Sequence, residues 1–157
     1  MRKRTIARVL AVALGAALAL GALSGCQSPA TGATDQQQAN RTYMTKVNQA
    51  VEELNTRLGE FDEAVAQESV VNMRNAANNA FEAIDALAVI DTPDAMKDLQ
   101  TNYVDGCNKL KDALNSYIDL YTEISSATEE APFDFSAYDG RVKEIQDAYN
   151  EGIDKLK

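Results

Sequence analysis

The stretch VNQAVEELNTRLGEFDEAV, Val47 to Val65, decides the fold. Its large apolar residues are Val47, Val51, Leu54, Leu58, Phe61 and Val65, separated by steps of 4, 3, 4, 3 and 4. That is the period of an α-helix with one buried face, and a strand would alternate instead. The same spacing recurs further along the chain. A second set runs Val70, Met73, Ala77, Phe81, Ile84 and Leu87, with Ser69 in place to cap it. Between the two sets the phase slips over Ala66 to Ser69 with no Gly or Pro, so two helices or one bent helix both fit.

Asp91-Thr92-Pro93-Asp94 is a clearer boundary. Thr92 is a candidate cap, Pro93 suits the first helical position, and Asp94 complements the positive end of the helix dipole. A third set follows: Leu99, Tyr103, Leu110, Leu114, Tyr117, Leu120, Tyr121 and Ile124. Ser125 to Phe135 contains Pro132 and reads as a connection. Ser136-Ala137-Tyr138-Asp139 reads as a capping box before a fourth set, Tyr138, Val142, Ile145, Tyr149, Ile153 and Leu156. The expectation is an all-α domain of four helices, over about 39–66, 69–90, 93–126 and 137–156. Short connections favour antiparallel neighbours, hence an up-down four-helix bundle, with shallow coiled-coil-like crossings from the near-heptad spacing.

The chain has 157 residues, enough for one domain, with only 8 Gly and 3 Pro, which argues against a turn-rich β fold. It has no His, no Trp and two Cys. Imidazole catalysis, His-ligated metals and a framework of several disulfides are therefore out of reach. The His-containing di-iron site common in helical bundles cannot be built.

The N-terminus carries an address. Arg2, Lys3, Arg4 and Arg8 precede an apolar run from Val9 to Leu23, and no acid occurs before Asp35. Fifteen residues fall short of the roughly 20 that span a bilayer as a helix. A signal-peptide core has this length. Leu23-Ser24-Gly25-Cys26 then resembles the lipobox of bacterial lipoproteins. The resemblance implies cleavage before Cys26, a diacylglyceryl group on its sulfur, and an acylated N-terminus. An ordinary secretory signal or an uncleaved anchor are the alternatives. Residues 1–25 are then the signal peptide, 26–38 the lipidated Cys and a flexible tether (SPATGATDQQQ from Ser28), and 39–157 the helical domain. A tether of about ten residues spans roughly 20 Å. One acyl chain anchors marginally, at roughly 0.8 kcal/mol per buried methylene, and two or three anchor stably. The expected location is the extracytoplasmic side of a bacterial cell membrane or outer membrane; Gln27 stands where Asp resembles an inner-membrane retention signal. The helical body resembles small bacterial lipoproteins of unknown function, which transfers no activity.

The net charge is −9. Removal of residues 1–25 leaves 11 basic against 24 acidic residues, a net charge of −13. Such a body is repelled by anionic headgroups and makes no natural partner for nucleic acid.

Asp98, Asp105, Asp112 and Asp119 recur at seven-residue spacing, about 10 Å apart along one edge of the third helix. That is too wide to share a metal ion. The row is expected to be a solvated face, with Asp105 supported by Lys109, and otherwise a docking stripe for a cationic partner. Asp134 with Glu129 and Glu130 is a thin Ca²⁺ candidate. Tyr103, Tyr117, Tyr121, Tyr138 and Tyr149 follow the apolar faces and either pack the core or line a ligand groove. Asn72, Asn75, Asn78 and Asn79 give the second helix a polar outer side. Cys107 reads as a small buried hydrophobe. The expected function is a membrane-anchored binding or interaction module for a protein or envelope partner, with no cofactor and no catalysis. The alternative is a carrier of a small apolar or cationic ligand between helices.

Overall fold

The computed structural model describes residues 34–157. The expected signal peptide, the lipobox with Cys26 and most of the tether lie outside the described residues. Among the described residues the protein is all-α, with four long helices and no strand: α1 (Asp35–Ala66), α2 (Val70–Ala88), α3 (Lys97–Ser126) and α4 (Tyr138–Lys155), plus a 3₁₀ turn at Asp94–Met96. None of these helices is long and apolar enough to cross a membrane.

Each boundary has a local cause. Helix α1 begins four residues before the expected 39, because Thr34 and Gln37 form a reciprocal capping box. The Thr34 side-chain oxygen accepts from the Gln37 N–H at 3.3 Å, and the Gln37 side chain accepts from the Thr34 N–H at 3.0 Å. The Gln-rich segment assigned to the tether is thus the first turn of a helix. Between α1 and α2 the break is real. Glu68 has φ 56, the sole non-glycine residue with positive φ among the described residues. A left-handed residue after a helix terminates it, a place where Gly is usual. Ser69 then caps α2 as expected, accepting from the Asn72 N–H at 3.3 Å.

Two expected caps are not made. The Thr92 hydroxyl donates to the Ile90 carbonyl at 2.8 Å, and Pro93 leads into the 3₁₀ turn rather than into α3. Ser136 does not cap α4; its N–H and hydroxyl both donate to the Asp134 carboxylate, at 2.8 and 3.0 Å. Helix α4 starts at Tyr138 without a side-chain cap.

The apolar seams read from the sequence face inward. Val47, Val51, Leu54, Leu58, Phe61 and Val65 of α1 are buried, as are Met73, Ala77, Ile84 and Leu87 of α2. Tyr103, Leu110, Leu114, Tyr117, Leu120 and Tyr121 of α3 join Ile145, Tyr149 and Ile153 of α4 in the same core. No charged or polar residue is buried among the described residues. Burial at roughly 25 cal/mol per Å² of apolar surface therefore supplies the cohesion. Backbones approach closely between α1 and α2, α2 and α3, and α3 and α4, whereas α1 and α4 come near each other at isolated points at most.

The tightest approach joins α3 and α4. A Cβ placed on Gly106 would lie 2.9 Å from the Gly152 carbonyl oxygen, and one on Gly152 would lie 2.8 Å from the Gly106 carbonyl oxygen. No side chain fits at either position. Gly59, inside α1, has nothing within 4 Å of such a Cβ. Two opposite outcomes follow for one kind of substitution. Gly59→Ala should stabilise the fold by about 1 kcal/mol through helix propensity. Gly152→Ala should destabilise it by about 1–3 kcal/mol through overpacking. Chemical denaturation of both variants checks the ranking, and equal effects would show that the α3–α4 crossing is looser than described.

Candidate functional site

The aspartate row of α3 is exposed at all four positions, Asp98, Asp105, Asp112 and Asp119. It does not stand free along its length. Asp105 is held by Lys155 of α4 at 2.9 Å, which lowers its pKa below the ordinary aspartate value. The expected helper Lys109 instead reaches across to Glu151 at 3.4 Å and adds only a minor lowering influence. Asp119 has a looser partner in Arg74 of α2, at 3.7 Å. A seven-residue repeat drifts by about 20° per step around an α-helix, so one row can meet different neighbours at its two ends.

Beside the second half of this row, α3 and α4 bound a groove of about 370 Å³. Asp112, Asp119, Glu123 and Glu144 supply its carboxylates, and Ile145 and Ala148 part of its apolar wall. Arg141 is its only basic residue. That guanidinium is engaged by Glu123 through two bonds, at 2.6 and 2.8 Å, which lowers the Glu123 pKa. The bidentate geometry leaves the remaining acids as the groove's charge.

The other candidates resolve more plainly. Asp134 is occupied by Ser136, and among the described residues no group of three or more His, Cys, Asp or Glu is placed to hold a metal ion. Asn72 belongs to the α1–α2 turn, donating to the Gln67 side chain at 2.7 Å, while Asn75, Asn78 and Asn79 are exposed. Cys107 is buried, and burial pushes its thiol up to about 11, far from a reactive thiolate at neutral pH.

The tyrosines divide into two sets. Tyr43 donates to the Gln100 side chain at 2.7 Å, and Gln100 in turn donates to the Leu87 carbonyl at 3.0 Å, closing the end of α2. Tyr121 donates to the Glu68 carbonyl at 3.3 Å. These hydroxyls are structural ties. Tyr117 and Tyr138 differ, because both phenol oxygens are buried and lack a hydrogen-bond partner. Buried hydroxyls are seldom left unpaired, since each forfeits the hydrogen bonds it would make in water.

Near Tyr117 lies a residue that sequence reading passed over. Asp62 stands four residues after Leu58 and three before Val65, so it lies at the exposed edge of the α1 seam rather than opposite it. Its carboxylate interacts with the phenols of Tyr117 on α3 and Tyr149 on α4, and raises both their pKa values, though burial is the larger cause in each. Burial alone moves Asp62, pushing it up to about 6, and no Lys or Arg offsets it. By surface area Asp62 is exposed. Water thus reaches the carboxylate from one side and screens part of this cost. Tyr149 is pushed up to about 12, chiefly by burial.

No protein-family model, curated protein or solved structure matches this chain.

A raised aspartate pKa has a definite sign. The folded chain binds the extra proton before the unfolded chain does, whose Asp titrates near 3.8. Stability contributed this way is present at low pH and is lost as pH rises from about 4 to 6. Asp62→Asn should therefore raise the melting temperature above about pH 7, with the gain vanishing below about pH 4. Paired thermal melts across this range test it, and a pH-independent difference would contradict the desolvated carboxylate.

Proposed function

We propose that this chain is a lipid-anchored, extracytoplasmic module of the bacterial envelope that binds a cationic protein or envelope partner. Acylation of Cys26 would tie it to the bilayer, and the acidic groove between α3 and α4 would meet the partner. We further read the four helices as an up-down antiparallel bundle. Three ion pairs support that arrangement for α3 and α4: Asp105 with Lys155, Lys109 with Glu151, and Glu123 with Arg141. Positions rise along one helix as they fall along the other. Lys111 with Asp85 and Asp119 with Arg74 run the same way between α3 and α2.

The observation that carries the functional reading is where the groove lies. The Tyr43–Gln100 bond sets the start of α1 beside the start of α3. Asp112, Asp119 and Glu123 lie in the second half of α3, whose far end meets the end of α1 through Tyr121 and Glu68. Helix α1, at 32 residues, is about 48 Å long. A chain tethered through its N-terminus would thus hold the groove away from the bilayer. Its carboxylates, with Arg141 spent on Glu123, suit a basic segment of another protein. The groove's excess of carboxylates suits binding of a cation, and burial holds the Cys107 thiol at about 11, well above neutral pH.

Expression of the full chain in a lipoprotein-processing bacterium tests both halves. Wild-type protein should fractionate with membranes and, after mild crosslinking, co-purify a basic partner released early in a salt gradient. Cys26→Ser should move the chain to the soluble fraction. The triple change Asp112→Asn, Asp119→Asn and Glu144→Gln should leave it membrane-bound but without the partner. Retention of the Cys26→Ser chain in membranes would refute the anchor. Undiminished capture by the triple variant would refute the groove.

A further inference from the structure

Resting on the α3–α4 groove as the seat of a basic segment, we propose that the same segment carries a large apolar residue, which docks in a second recess under the α3–α4 connection. This recess has a volume of about 450 Å³. Its apolar walls are Ala127, Ala131, Pro132, Phe133 and Ala137. Glu123 and Arg141 wall both the recess and the acidic groove, so the two hollows adjoin at that ion pair. Asp119 lines the groove and Ser126 the recess, and the stretch of α3 between them is about 10 Å long. Four extended residues of a partner reach that far.

The walls select the guest, because each polar residue lining the recess is already engaged. Arg141 donates two bonds to Glu123, at 2.6 and 2.8 Å. Asp134 accepts from the Ser136 N–H and hydroxyl, at 2.8 and 3.0 Å, and the Ser126 hydroxyl donates to the Glu123 carbonyl at 3.2 Å. What remains for a guest is apolar surface to cover. An acidic guest would be repelled by Glu123 and Asp134. The recess is also preformed. The Thr128 N–H donates to the Ala131 carbonyl at 3.0 Å, and the Ala131 N–H donates to the Thr128 hydroxyl oxygen at 3.1 Å. Phe133 is propped edge-on by Phe135 and Tyr138, with ring centroids 4.8 and 6.4 Å away. A site that needs no ordering on binding keeps more of the contact energy as affinity. Phe135, 53% exposed beside Phe133, extends the apolar surface outward.

The test is a titration of the full chain at low ionic strength, followed by its amide NMR shifts. The probes are acetylated, amidated peptides: Lys-Lys-Lys-Phe against Lys-Lys-Lys-Ala, and the reversed Phe-Lys-Lys-Lys against Ala-Lys-Lys-Lys. Charge is equal within each pair, so a difference in affinity reads the recess. In at least one order the Phe peptide should bind about fivefold tighter or more, shifting the amides of Ala131, Phe133 and Ala137, which the Ala peptide leaves unmoved. Ala137→Leu fills the recess from an exposed position, and it should abolish the preference while the Ala peptide binds as before. Equal affinities in both orders, or a preference that survives Ala137→Leu, would overturn the recess. The triple groove variant should weaken all four peptides and keep the preference for Phe. Ala peptides that bind it undiminished would instead overturn the groove, and no saturable binding by any peptide would overturn both.

Discussion

Backbone meets backbone where Gly106 of α3 faces Gly152 of α4, and much of the molecule is arranged around that contact. With no Cβ on either side, each carbonyl oxygen lies under 3 Å from where the other residue's side chain would begin. Weak Cα–H···O attraction contributes at most about 0.5–1 kcal/mol per contact. The steric consequence is larger, because a slip of one helix along the other would drive Lys155 or Leu110 into the opposing backbone. The pairs Asp105–Lys155 and Lys109–Glu151 sit on either side of the crossing. As partly exposed pairs they contribute little energy. They fit the close approach at the two glycines, as does the pairing of Arg141 with Glu123.

The two ends of the molecule are closed by different devices. At one, Tyr43, Gln100 and the Leu87 carbonyl form a chain of hydrogen bonds that joins α1, α3 and the end of α2. At the other, the left-handed Glu68 turns the chain out of α1, and Tyr121 donates to its carbonyl. Between them the core contains no buried charge, so shape and apolar area govern stability. Asp62, at the exposed edge of the α1 seam, is partly desolvated with no Lys or Arg to offset it, which raises its pKa.

Much of the fold was legible because helical periodicity is a strong signal. The run from Val47 to Val65 buries every residue its spacing selects, and the runs in α2, α3 and α4 bury most of theirs, with Val70, Phe81, Leu99, Ile124, Tyr138 and Val142 half-buried at the edge of the core. Signals resting on one or two residues fared unevenly. Ser69 caps α2, but Thr92 and Ser136 spend their hydroxyls on Ile90 and Asp134, since a hydroxyl has several acceptors within reach. Thr34 and Gln37 formed a capping box inside a stretch whose composition suggests a linker. The α1–α2 break was hard to read because Glu68 takes a conformation for which Gly is the usual marker. Gly106 and Gly152 look like ordinary helix interruptions until the helices are brought together. The aspartate row was visible from its spacing, but its partners Lys155 and Arg74 were not, since they come from other helices. Asp62 could have been found, because it falls in phase with Leu58 and Val65.

The proposed antiparallel register underlies the groove between α3 and α4, and it can be read directly. Treatment of the native chain with a zero-length carbodiimide joins amines to carboxylates already in contact. Digestion and mass spectrometry should then recover Lys155 linked to Asp105 and Lys111 linked to Asp85, whose atoms lie 2.9 and 2.6 Å apart. Recovery of Lys155 linked instead to Asp119 or Glu123, at the opposite end of α3, would contradict the register and the groove built on it.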